Sequence, residues 1–276
     1  MIEFPEAVTL ASQLREALLG KRVDDVIAGQ SPHAFAWFHG DPSEYPQVLV
    51  GTRVEAARSD GGFVHVRSGD AALLFAEGVN LRLHQPGDAR PERHQLLLEF
   101  SDGAALSATV QMYGGVWAFR QGTFENAYHE AAKRAPSPLS DAFDRPYFDR
   151  IVAAPELQRS SVKALLATEQ RVPGLGNGVL QDILYDARIH PRRRVASLDA
   201  NERHALFDAL TRTLDEMVSR GGRDTERDLY GRRGGYPTRC SRHTLGTSCG
   251  RCGSTIVKAQ YLGGAVYLCP GCQPMA

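Results

Sequence analysis

Four cysteines near the end of the chain have the spacing of a metal site. Cys249, Cys252, Cys269 and Cys272 stand as C-x2-C-x16-C-x2-C, a pattern read as zinc-binding. Each C-x2-C pair forms a knuckle that aims two thiolates at one point. Two facing knuckles give the tetrahedral S4 shell that zinc takes, with bonds of about 2.3 Å. A pair of disulfides is the alternative, but nothing in the sequence suggests secretion, and a reducing compartment favours thiolate-bound metal. Four cysteine ligands leave no position open for substrate, so one structural Zn2+ is expected. The intervening residues read as a hairpin, with Thr255–Tyr261 out, Gly263-Gly264 at the turn and Ala265–Leu268 back. Cys240 is the odd cysteine and reads as a small packing residue.

A second group could hold an anion. Val172-Pro173-Gly174-Leu175-Gly176-Asn177 is a glycine-bearing turn that feeds a helix start. Unpaired N–H groups there favour an anion such as a DNA phosphate, with Asn177 as a side-chain donor. A plain helix connection is the alternative. Glu3 and Glu6 stand at the start of a first helix, where the dipole favours carboxylates.

These residues need elements to place them. Ala7, Ala11, Leu14 and Leu18 repeat at 4-3-4 spacing and predict an amphipathic helix that Gly20 can end. From about 23 to 120, short alternating runs such as 63–67, 95–100 and 105–110 predict a sandwich or barrel. Residues 31–46 read as a loop. Prolines at 136, 138 and 146 mark a boundary in 131–150. Helices are expected over 161–170, 177–187 and from the capping box Asp199–Glu202 to about Ser219.

Net charge is zero but unevenly placed. Residues 1–150 carry 14 basic and 20 acidic side chains, and residues 151–276 carry 18 and 12. A polyanion is therefore expected mainly on the second half, where the runs Arg192–Arg194 and Arg232-Arg233 can meet phosphates or simply be solvated. No stretch approaches a membrane span and no signal pattern opens the chain, so a cytoplasmic protein with no membrane partner is expected.

Taken together, the order of motifs resembles the formamidopyrimidine-DNA glycosylase and endonuclease VIII family. The start Met1-Ile2-Glu3-Phe4-Pro5-Glu6 is similar to that family's M-P-E-L-P-E. Lys163-Ala164-Leu165-Leu166, Gln170 and Gly174–Asn177 resemble its helix–two-turn–helix signature. Gly221-Gly222, Arg227-Asp228 and the cysteine quartet with Cys269-Pro270-Gly271-Cys272 continue the likeness over almost the whole chain. The resemblance implies an α+β fold. An N-terminal helix and β-sandwich domain (1–130) and a linker (131–150) would precede a helix–two-turn–helix domain (151–240) and a zinc ribbon (241–276).

The resemblance also implies a monomeric base-excision repair protein acting on damaged or abasic double-stranded DNA. A terminal proline amine would attack the sugar C1′ of an everted nucleotide, and a glutamate matching Glu3 would shuttle protons, with Glu6 beside it. Gly176, Asn177 and Lys163 would meet DNA, and Gln111, Met112 and Tyr113 would supply the wedge that fills the vacated stack.

The sequence departs from this pattern at the nucleophile. Ile2 stands in place of proline, so Met1 is expected to remain. Its amine would then be a residue, or ~3.8 Å, early. Gly62 stands where a phosphate-gripping lysine is expected, and Gly263-Gly264 where an arginine is. Lys258 in the ribbon is a partial substitute. Three functions stay open: a glycosylase and AP lyase using an unusual N-terminal amine, or a glycosylase that activates water with Glu3; a non-catalytic lesion-binding protein; and a structured-RNA-binding module.

Overall fold

A computed structural model describes residues 2–275. The first helix, α1 (Phe4–Leu18), is amphipathic as its spacing predicts. Ala7, Leu10, Leu14 and Leu18 enter the core between two sheets, while Phe4 enters a separate helical core. One helix therefore straps the two halves of the molecule together.

The sandwich is built from short ladders, antiparallel but for one parallel pair at the edge of the second sheet. Strands β1 (Val23–Ala28), β7 (Leu96–Phe100), β8 (Ala105–Val110) and β6 (Val79–His84) lie in that order in a four-stranded sheet. The second sheet runs β2 (Ala36–Trp37), β9 (Gly114–Arg120), β5 (Ala71–Phe75), β4 (Phe63–Ser68) and β3 (Val54–Asp60). All five residues of β5 are buried, without the alternation of a half-exposed strand. The cause is cover on both faces: α3 (Ala127–Arg134) and Phe124 close an outer core with Phe63, Leu74, Trp117 and Phe119.

The 31–46 stretch, expected as a loop, contains β2 and runs into α2 (Tyr45–Leu49). Tyr45 is buried and its hydroxyl donates to the Val116 carbonyl, so tertiary contact orders this segment. Helices α3 and α4 (Arg145–Ala153) occupy both ends of the 131–150 stretch, leaving 135–144 between them.

Helices α4, α5 (Val162–Ala167), α6 (Val179–Asp186) and α7 (Ala200–Ser219) pack around one apolar core. The reciprocal cap of Asp199 and Glu202 opens α7 as predicted. Helix α5 stops before the expected 170, because Glu169 and Gln170 both turn to positive φ (58° and 52°). The ribbon strands β10 (Val257–Tyr261) and β11 (Gly264–Leu268) pair in register. Their turn is Leu262-Gly263, both at positive φ, one residue earlier than the expected Gly263-Gly264. No helix among the described residues is long and apolar enough to cross a membrane.

Candidate functional site

A cleft of about 860 Å3 opens where the sandwich, the α5–α6 connection and the ribbon tip meet. Ile2, Glu3 and Glu77 lie along it on the sandwich side, Gly174–Asn177 on the helical side, and Leu262–Ala265 at the tip. Among the described residues lining it, Lys163 is the one cation, against Glu3, Glu77 and Glu169. Aromatic groups dominate its rim. The Trp37 and Tyr113 rings lie 5.9 Å apart, and Trp37 and Met112 remain 49% and 65% exposed, free to contact a guest.

The anion expected at the glycine turn is supplied from within the chain. The Glu3 carboxylate accepts from the Gly178 and Val179 amides at 2.8 Å each, at the start of α6. A Cβ at Gly176 would sit 2.5 Å from Glu3 Cδ, and one at Gly178 would sit 1.9 Å from Arg223 Nη1. The glycines admit Glu3 and Arg223, so these two amides do not face a phosphate.

Arg223 completes a buried cluster. Its Nη2 donates to Glu6 Oε2 at 2.6 Å, its Nε and backbone amide donate to Glu6 Oε1 at 3.0 and 3.1 Å, and its Nη1 lies 3.5 Å from Glu3 Oε1. Burial pushes the Glu6 carboxyl up, but Arg223 outweighs it and holds Glu6 below its ordinary range. For Glu3, burial prevails over the pull of Arg223 and the two amides, and its pKa is raised. Glu77 was not singled out from sequence, yet burial and the Glu3 charge push its carboxyl up to about 7, against a hydrogen bond from Tyr113.

Lys163 is buried and its ammonium donates to the Tyr261 carbonyl, tying α5 to the ribbon tip rather than standing free for a phosphate. Asn177 donates from Nδ2 to the Ala265 carbonyl at 2.7 Å, so it too holds the tip. Gln111 and Met112 are exposed on the β8–β9 turn, and Tyr113 faces the cleft beside Trp37. Lys258 is exposed on β10, outside the cleft lining. Ile2 packs into the sandwich core while forming part of the cleft wall, and it offers no nucleophilic side chain. Met1 lies outside the described residues. Gly62 has a physical reason: the Gly61-Gly62 turn docks on Pro173-Gly174, and a Cβ on Gly62 would meet Gly174 Cα at 3.2 Å.

The four cysteine sulfurs all lie within 4.8 Å of one another. Cys249 and Cys272 are 3.8 Å apart and Cys252 and Cys269 are 3.3 Å apart. A tetrahedral shell with zinc–sulfur bonds needs edges of ~3.8 Å, so the donor set fits a metal ion. Cys240 is buried next to the quartet, and its amide donates to Asp182 at 2.7 Å.

Residues 135–228 match the formamidopyrimidine-DNA glycosylase H2TH domain. The chain is 28% identical over 285 residues to formamidopyrimidine-DNA glycosylase of Shouchella clausii (strain KSM-K16), across 99% of both chains. It is 27% identical over 281 residues to that of Listeria innocua serovar 6a, across 99% of this chain and 100% of the other. The chain thus carries that H2TH domain and is similar to formamidopyrimidine-DNA glycosylases over its whole length. Its fold matches Lactococcus lactis Fpg in complex with abasic-site DNA, with a TM-score of 0.82 and 22% identity over 99% of this chain and 100% of that one. Trp37, Glu77 and Arg223 belong to no motif legible in the sequence. The only local signals were an aromatic between prolines, a lone carboxylate ending an apolar run, and an arginine after Gly221-Gly222.

Proposed function

We propose that this protein is a base-excision repair protein of the DNA glycosylase type, which holds a damaged or abasic nucleotide of double-stranded DNA in the cleft. The cleft itself carries the reading. It is aromatic-rimmed, and Lys163 is the one cation among its described lining residues, which suits an everted base better than a phosphate backbone. Trp37, Tyr113 and Met112 offer the faces on which an unstacked base or its orphaned partner packs. Gln111 and Lys258 are exposed candidates for backbone contact, while Gly176, Asn177 and Lys163 shape the wall. The four-cysteine centre would hold Zn2+, which would fix the ribbon and, through Lys163 and Asn177, its tip.

Lesion binding without chemistry is the second reading. It is supported by the commitment of Glu3 and Glu6 to Arg223 and to backbone amides, and by Ile2 at the nucleophile position. The test is fluorescence anisotropy with abasic and intact duplexes, followed by borohydride trapping. The expected result is at least ~10-fold tighter binding to abasic duplex, consistent with the smaller unstacking cost there. Equal affinity for abasic and intact duplex overturns the proposal.

A further inference from the structure

Glu77 occupies a built position. It lies between β5 and β6, followed by Gly78 at φ +86°. A Cβ on Gly78 would fall 1.6 Å from the Tyr113 carbonyl oxygen, and one on Gly114 would fall 2.9 Å from Val79 Cγ2. Only glycines let these two turns press backbone to backbone. The contact sets the Glu77 carboxyl against the Tyr113 hydroxyl, with both side chains lining the cleft next to Glu3. Glu3 cannot serve a water as freely, because both of its oxygens accept amides at the start of α6.

We infer that Glu77 is the general base of a hydrolytic reaction in this cleft, activating a water that displaces the damaged base without a covalent enzyme intermediate. The inference rests on the reading of the cleft as a lesion pocket. A bond forms between the water oxygen and the sugar C1′ as the C1′–N bond breaks, its electron pair leaving with the base. The water proton passes to the Glu77 carboxylate, and the departing base takes a proton from solvent. The products are free base and an abasic sugar in an unbroken strand, since no Schiff base forms to drive elimination.

A carboxyl that titrates near 7 is matched to this task at neutral pH. Rate should rise as pH passes about 7 and level off above it. Tyr113→Phe removes a hydrogen bond that stabilises the charged carboxylate, so that rise should move to higher pH.

The experiment uses the full chain and duplexes carrying a single Fapy-dG under single-turnover conditions. Wild type is expected to release the base, leave a strand that breaks only in alkali, and give no borohydride adduct. Glu77→Gln should slow base release by ~100-fold or more, with abasic-duplex affinity within about 3-fold of wild type. A borohydride adduct, a Glu77→Gln rate within about 3-fold of wild type, or tight abasic binding with no base release by wild type each overturns the role of Glu77 while leaving the lesion pocket standing. Failure to distinguish abasic from intact duplex overturns the pocket itself.

Discussion

Arg223→Met is the most informative perturbation of the buried cluster. The Arg223, Glu3 and Glu6 side chains are 3%, 1% and 6% exposed, so water cannot replace the lost guanidinium. The substitution strands two carboxylates in the interior and removes the hydrogen bonds from Nε and Nη2 to Glu6, while the one from the backbone amide of residue 223 survives. Breaking such a pair costs about 3–5 kcal/mol, which urea unfolding at pH 7.5 would measure.

The pH dependence gives an independent check. Without the Arg223 guanidinium, burial outweighs the surviving backbone hydrogen bond and raises the folded pKa of Glu6 above the unfolded value. The folded variant then binds more protons than the unfolded chain, so its deficit shrinks as pH falls toward 5. Arg223→Met combined with Glu6→Gln should recover more than half of the loss, because a neutral amide costs far less to bury. A single-variant deficit below ~1 kcal/mol, or one that grows on acidification, would refute the account of the cluster.

Four further outcomes are expected. Cys269→Ser should abolish stoichiometric zinc in a colorimetric release assay and weaken abasic-duplex binding by ~10-fold or more, because the ribbon tip loses its fold. Gly178→Ala should cost about 1–3 kcal/mol in urea, since its methyl must displace Nη1 of an arginine held on two carboxylates. Wild-type stability should fall as pH drops from about 6.5 to about 4. Burial holds His65 near 4, helped by Arg58, His129 and Lys133 and opposed by Asp60, so up to ~3 kcal/mol present above 6.5 is lost. His65→Phe should flatten that slope in pH-dependent urea titrations, as both ring nitrogens lack a hydrogen-bond partner. Trp37→Ala should weaken abasic-duplex binding by about 1–3 kcal/mol in anisotropy titrations with little change in melting temperature, its ring being half exposed.

What the sequence conveyed depended on range. The cysteine quartet, the Asp199–Glu202 cap and the 105–110 strand are written in residues a few positions apart, and they stand where expected. The glycine turn was legible as an anion cradle, but its occupant, Glu3, comes from 175 positions away. No local pattern announces such a guest. Arg223 lies 217 positions from Glu6, and only the folded chain shows why a cation there is tolerated. Glu77 gave no signal because one carboxylate after an apolar strand ordinarily faces solvent; the close approach at Gly78 and Gly114 makes it otherwise. The 31–46 segment hid its strand and helix because Tyr45 draws its order from Val116, 71 residues on.

The meeting of Gly61 and Gly62 with Pro173 and Gly174, reinforced by the Phe4 amide on the Gly174 carbonyl at 2.8 Å, has a mechanical corollary. Backbone meets backbone there, and the one side chain in the contact is the stiff ring of Pro173. Any substituent added to either turn would therefore act as a wedge, spreading the sandwich from the α5–α6 connection and loosening the wall beside Glu3.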